Sequence, residues 1–134
     1  MTFSCSLLDT SCLAFFAPAL AISSQLLGAQ NILLPELFER PYFCQERQYD
    51  YYQYAQSVTE NTAIQHFKVI AKELKVVLPI SFYEKDGNVL YNSIAVIDAD
   101  GEVLGVYRKT HIPDDHYYQE KFYFTPGNTG FKVW

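Results

Sequence analysis

Between residues 62 and 75, Ala63, Ile64, Phe67, Ile70, Ala71 and Leu74 recur at three- and four-residue steps, while Gln65, Lys68, Lys72 and Glu73 fall between them. That spacing predicts an amphipathic helix with one apolar face. Thr59 or Asn61 is placed to cap its start. Residues 76–82 follow as a near-continuous apolar run, which predicts a strand covered on both faces. Pro79 inside the run argues the other way, because proline removes a donor from a ladder. Residues 92–97 and 103–107 flank Asp98-Ala99-Asp100-Gly101, a hairpin signal whose second strand delivers Arg108 and Lys109 at its end. Upstream, residues 32–34 are a short apolar run between Gly28 and Pro35 and read as a buried strand. Residues 38–54, rich in Tyr and Phe with a mixed period, read as a loop followed by a poorly defined helix. Residues 110–134 carry many aromatics and few helical signals. Within them Pro126-Gly127-Asn128 marks a turn, and residues 132–134 read as part of a strand.

Composition bounds what such a chain can be. Its 134 residues make one domain at most, and 49% hydrophobic content against 19% charged residues is enough to bury a core. Disordered, collagen-like and low-complexity classes are excluded. Ten Lys and Arg against fifteen Asp and Glu leave a net charge of -5, which argues against a nucleic-acid footprint. The cation pairs that stand out, Lys72/Lys75 and Arg108/Lys109, are too short to form a basic stripe. Cys5, Cys12 and Cys44 are odd in number, widely spaced and without a CxxC, so neither a disulfide framework nor a cysteine-ligated metal is supported. A reducing, cytoplasmic setting is the expectation. Residues 13–22 are apolar and contain Ala19-Leu20-Ala21, which faintly resembles a signal-peptidase site. No Lys or Arg precedes Arg40, however, and Asp9 sits where a signal peptide carries positive charge, so export is not expected. Pro18 and the flanking Ser and Gln residues break this run short of a bilayer's thickness.

Candidate chemistry comes from the ends of the predicted strands. Glu36 lies just past the run at 32–34, where open α/β folds place ligands. Lys109 ends the later hairpin, and a second carboxylate, Glu120, follows eleven positions on. Spacing alone says little, since Glu and Lys are mostly solvated. The setting says more, because a carboxylate between an apolar strand and Leu37-Phe38 is expected to be partly buried, and buried carboxylates need a partner or a function.

These residues fall in a set of motifs: Asn31-Ile-Leu-Leu-Pro-Glu36-Leu-Phe-Glu, Pro41-Tyr-Phe-Cys-Gln45, Val106-Tyr-Arg-Lys109-Thr-His-Ile-Pro-Asp114 and Tyr118-Gln-Glu120-Lys-Phe-Tyr-Phe-Thr-Pro-Gly127. Together they resemble the nitrilase, or carbon-nitrogen hydrolase, superfamily, and within it the carbamoylputrescine amidase branch. The similarity runs from about Gly28 to Trp134. The resemblance implies an α/β fold, one part of an α-β-β-α sandwich with two layers of mixed sheet between helices. It implies that Glu36 is the general base, Lys109 the group that stabilises the tetrahedral intermediate, and Glu120 a supporting glutamate. In the family the nucleophile is a cysteine in an Ile-Cys-Trp-Asp-like motif beyond the point matched by Trp134, so the chain is expected to be truncated before that residue and inactive alone. None of the three cysteines present stands in that context, and Cys44 reads as a packed thiol. The implied chemistry needs no metal or organic cofactor, acts on a small ureido or amide substrate, and belongs to a homo-oligomer; no nucleic acid or membrane is involved.

Other signals keep two readings. Asp114 or Asp115 could bind the substrate's distal ammonium, since a cation calls for acidic residues near the pocket mouth; the alternative is a solvated turn after Pro113. His111 and His116 with those aspartates could be drawn as a metal cluster, but their intervals fit no helix-based ligand pair. Asp98-Ala-Asp100-Gly resembles the start of a calcium loop, yet its glycine follows the second Asp immediately and no closing Glu comes at the right spacing, which favours a hairpin turn. The Tyr49 to Tyr54 cluster lacks basic interleaving and reads as interface or core. Gly28-Ala29-Gln30 fits the family's turn into the strand before Glu36. Residues 1–27 match neither the strand nor the long amphipathic helix that open the family's domain, and lack a charged face. A frameshift, an alternative start or a mistaken gene model is the expected origin of that stretch, with the hydrolase domain beginning at residue 28.

Overall fold

The computed structural model describes residues 10–134, with side chains from Phe16 onward. Two helices, α1 (Thr10–Leu26) and α2 (Thr62–Leu74), accompany three strands, β1 (Leu78–Asp86), β2 (Val89–Ile97) and β3 (Val103–Arg108). Short 3-10 turns occupy Phe43–Gln45, Tyr49–Tyr54 and Glu120–Phe122.

The predicted helix forms over almost the expected residues. Asn61 caps it, its Oδ1 accepting from the Ile64 amide at 2.8 Å, and Lys75 ends it in the left-handed region at φ 54. Ile64, Phe67, Ile70 and Ala71 make its buried stripe. The strands form one antiparallel sheet in the order β1-β2-β3. Alternation divides this sheet into two faces. Leu78, Ile80 and Phe82 with Ala95 and Ile97 meet the helix stripe, Ile32, Leu34 and Phe38 in one core. Tyr83 and Leu90 on the opposite face join Leu37, Phe43, Cys44, Ile112, Tyr123 and Phe124 in a second, largely aromatic cluster. Tyr51, Tyr52 and Tyr54 pack against that cluster, so most of the tyrosine run takes the core reading, while Tyr49 is exposed.

Several expectations are corrected. Residues 32–34 are extended but form no strand: a single parallel bridge joins Asn31 to Val77, through Ile32 N to Val77 O and Val77 N to Gln30 O. The chain beyond Val77 turns its pairing to β2, and Pro35 has no amide to extend the ladder. The strand expected at 76–82 is instead Leu78–Asp86. Pro79 is accommodated because β1 is an edge of the sheet, where a missing donor costs least. A second hairpin joins β1 to β2 through Gly87-Asn88, with Asp86 opposite Val89 and Gly87 at φ 60, the positive angle that a II′ turn needs at its first central residue. Asp98-Ala99-Asp100-Gly101 turns β2 into β3 as expected, with Asp98 and Asp100 accepting from the amides of Ala99 and Glu102. Residues 131–134 adopt no strand. Residues 10–26, whose lack of a charged face spoke against a helix, are helical through Pro18, and Ala17 and Ala21, four apart, bury against α2. Cys5 lies outside the described residues, as does the side chain of Cys12. The second sheet layer that the resemblance implies is not among the described residues. No helix among them is long and apolar enough to cross a membrane.

Candidate active site

Beneath the face of the sheet opposite the helices, a cavity of about 170 Å³ is lined by Leu33, Leu34, Glu36, Ser81, Asn92, Ile94, Tyr107 and Lys109. Alternation explains the set: Ser81, Asn92, Ile94 and Tyr107 are on the strand face that α2 does not cover. The Leu-Leu-Pro-Glu segment closes the side. Glu36 is aimed by its neighbour, because Leu37 takes the left-handed conformation at φ 51 and its amide donates to the buried Ser81 Oγ at 3.0 Å. Such a backbone is uncommon for leucine and persists only where its surroundings determine it. Glu36 is more exposed than the apolar setting predicted, its side chain being 47% accessible.

Lys109 extends the line of β3, and its amide donates to the Asn92 carbonyl at 2.8 Å. Its ammonium reaches two carboxylates, Glu36 Oε1 at 2.8 Å and Glu120 at 2.9 Å to Oε2 and 3.2 Å to Oε1. Burial alone would lower the pKa of this lysine. Its hydrogen bonds and charge interactions with Glu36 and Glu120 override that and hold it above the ordinary lysine value. Glu120 sits at the first position of a 3-10 turn and is buried, 1% exposed. Burial of a carboxylate demands donors, and Tyr42 OH supplies one to Oε1 at 2.8 Å beside those from Lys109. Burial first, then the hydrogen bond to Glu120, pushes the Tyr42 phenol well above its ordinary pKa, so it remains a neutral donor.

The structure therefore brings Glu36, Lys109 and Glu120 together. It also adds residues that sequence reasoning missed. Asn92 Nδ2 donates to Glu36 Oε1 at 2.6 Å and lies 3.5 Å from Glu120 Oε2. An asparagine opening the largely apolar segment 92–97 was the available signal for it; Tyr42 lay within the motif at residues 41–45 with no role attached, and nothing local marked Ser81. Asp114 and Asp115 are not brought to this cavity. They are exposed and line a separate hollow with Arg47, His116 and Gln119; Asp114 pairs with Arg47 at 3.7 Å, and Asp115 accepts from the His116 amide. No group of three or more His, Cys, Asp or Glu side chains among the described residues is arranged to hold a metal ion. Cys44 is fully buried near Glu120, and burial foremost pushes its thiol up to about 12, the character of a packed thiol.

Behind the cavity an ion-pair network sets the end of β3. Arg108 donates from Nε and Nη2 to both oxygens of buried Glu84, at 2.8 and 2.7 Å, and from Nη2 to Asp86 at 2.7 Å. The loop at residues 126–129 braces the same backbone: Gly127 N donates to Lys109 O, and Thr129 Oγ1 accepts from Arg108 N. A Cβ at Gly127 would overlap the Arg108 carbonyl, which requires glycine there.

The backbone matches a solved carbon-nitrogen hydrolase from Helicobacter pylori G27 with a TM-score of 0.82 and 33% identity, over 92% of this chain and 42% of that one. The fold class is thus the nitrilase-type α/β fold, represented here in part. The chain belongs to the carbon-nitrogen hydrolase family, whose profile matches residues 16–134. It is 56% identical over 106 residues to N-carbamoylputrescine amidase of Oryza sativa subsp. japonica, covering 79% of this chain and 35% of that one. It is 52% identical over 107 residues to citrullinase of Francisella tularensis, covering 80% and 37%. The chain spans about a third of the length of these curated relatives.

Proposed function

We propose that this chain carries the Glu36–Lys109–Glu120 part of an amidohydrolase site that acts on N-carbamoylputrescine and yields putrescine, ammonia and carbon dioxide, a step of polyamine synthesis. The observation that carries the reading is the Lys109 ammonium held between two carboxylates at the rim of an apolar cavity. A ureido carbonyl is a poor electrophile, so its hydrolysis calls for an activated nucleophile and a fixed positive charge at the developing oxyanion. Glu36 takes the proton of a thiol nucleophile, which the family resemblance places in a part of the domain that this chain does not span. The thiolate adds to the carbonyl carbon, and the oxyanion is met by Lys109. An ammonium has three donors. One serves Glu36, one spans the two oxygens of Glu120, and the third is available to the substrate oxygen. Glu36 passes its proton to the departing amino group, releasing ammonia and a carbamoyl thioester. Water, deprotonated by the same glutamate, then cleaves the thioester to a carbamic acid, which falls apart into amine and carbon dioxide. A cytoplasmic homo-oligomer is part of the same proposal.

The likeness to citrullinase supports a second reading, in which another ureido compound is the substrate and the reacting group is unchanged. A competition series of carbamoylputrescine, citrulline, ureidopropionate and simple amides, read as ammonia release by the complete enzyme carrying this chain together with its thiol nucleophile, separates the two. Preference for carbamoylputrescine by kcat/KM supports the first reading, and preference for another ureido compound overturns it.

A further inference from the structure

We infer that Asn92 is a positioning residue that selects which oxygen of Glu36 takes the proton; this rests on the hydrolase reading above. The inference starts from the donors around Glu36. Both of its hydrogen-bond partners among the described residues, Lys109 Nζ at 2.8 Å and Asn92 Nδ2 at 2.6 Å, fall on one oxygen, Oε1. Oε2 receives neither. With both donors on Oε1, Oε2 is the oxygen presented with its lone pairs unspent. The two oxygens of the base are thereby made inequivalent, and Oε2 is the one left to take the proton.

Asn92 is suited to this role by its own placement. It is 3% exposed, on β2, the central strand of the sheet, whereas Glu36 stands outside the strands with a side chain 47% accessible. Its carbonyl oxygen receives the Lys109 amide at 2.8 Å, so one residue fixes the backbone of the cation and the side chain of the base. Its side-chain orientation follows from its neighbours. Glu36 Oε1 and Glu120 Oε2, at 2.6 and 3.5 Å, are both acceptors, and only the amide nitrogen can face them. Lys109 supplies charge to the base, and Asn92 supplies direction without adding a titrating group.

The test has a spectroscopic arm and a kinetic arm. In an amide 15N–1H spectrum of the full-length chain, the Asn92 side-chain pair is expected to show one proton shifted downfield and protected from exchange, and Glu36→Gln is expected to move it. An Asn92 pair at the position of a solvated asparagine, indifferent to Glu36→Gln, overturns the inference whatever the enzyme does. In the kinetic arm, Asn92→Leu retains the branched shape and removes the donor. A misdirected base is expected to lower kcat about 10²-fold. Interactions used only in the transition state leave KM nearly unchanged, here within about threefold. Asn92→Asp, which retains the shape and adds a third carboxylate, is expected to be no better than Asn92→Leu. A thermal melt accompanies each variant, so a loss that follows unfolding is distinguished by its fall in active fraction at unchanged kcat per folded molecule. An Asn92→Leu chain that folds and turns over at the wild-type kcat overturns the inference while the hydrolase reading stands. A complete enzyme, carrying this chain together with its thiol nucleophile, that releases no ammonia from any ureido compound overturns the hydrolase reading and leaves the Asn92–Glu36 contact to the spectroscopic arm.

Discussion

Lys109 Nζ lies 2.8 Å from Glu36 Oε1 although 73 positions separate the two in the chain. The end of β3 and the segment after the Val77 bridge meet at that contact, and buried Glu120 completes it from a third element. Removing the cation with Lys109→Met leaves Glu120 as a buried carboxylate short of its charged donor. A loss of about 3 kcal/mol in urea denaturation at neutral pH is expected. The pH dependence follows from the raised pKa of Lys109: the folded chain binds this proton more tightly than the unfolded one. Its contribution is fully present below the unfolded lysine value of about 10.4, and is lost as pH rises through the folded value. The gap between wild type and Lys109→Met should therefore hold from neutral pH to the onset of lysine titration and close above it.

Arg108 grips Glu84 through two nitrogens, and Glu84 is buried, with a side chain only 4% accessible. Arg108→Ala strands that carboxylate and is expected to cost about 3–5 kcal/mol. Arg108→Lys retains the charge but not the fork, and should recover only part of the loss. Thermal or urea unfolding of the two variants checks both statements.

Gly127 is required by contact with the Arg108 carbonyl rather than by its backbone angle. Gly127→Ala should destabilise the chain by about 1–3 kcal/mol through the shift it forces on the end of β3. A neutral effect in the same unfolding assay would mean that the loop at residues 126–129 does not brace Lys109.

Cys44 offers a chemical check on the aromatic cluster. Its thiol is pushed up to about 12, by burial first and the charge of Glu120 next. Iodoacetamide at pH 8 should leave Cys44 unlabelled in the folded chain and label it in urea, read by peptide mapping. The folded state retains this proton between the ordinary value near 9.0 and about 12, so the group's stabilisation falls as pH rises through that window. The slope is at most about 1.4 kcal/mol per pH unit, and Cys44→Ala should remove it.

Local pattern accounts for much of this fold. The stripe at Ile64, Phe67, Ile70 and Ala71 and the turn at Asp98 to Gly101 were legible because each is decided within one turn of chain. Residues 32–34 read wrongly as a strand because apolarity reports burial, whereas pairing depends on what lies alongside. Helix α1 was illegible for the opposite reason: Ala17 and Ala21 bury against α2, and nothing on the outer face of α1 is charged. At the site, Glu36, Lys109 and Glu120 were found by motif and by their positions at element ends. Asn92 and Tyr42 were not, since their meaning comes from side chains 56 and 78 positions away. Asp114 and Asp115 looked suited to a cation by charge, but the chain puts them in another hollow, where Arg47 already answers Asp114.

The most direct measurement is ammonia release from N-carbamoylputrescine by the complete enzyme carrying this chain together with its thiol nucleophile, comparing wild type with Glu36→Gln at matched folded fractions. If Glu36 is the base, kcat falls by about 10²–10⁴-fold while the variant remains folded. A folded Glu36→Gln chain with wild-type turnover would contradict the assignment of this cavity as the place where the carbon-nitrogen bond is broken.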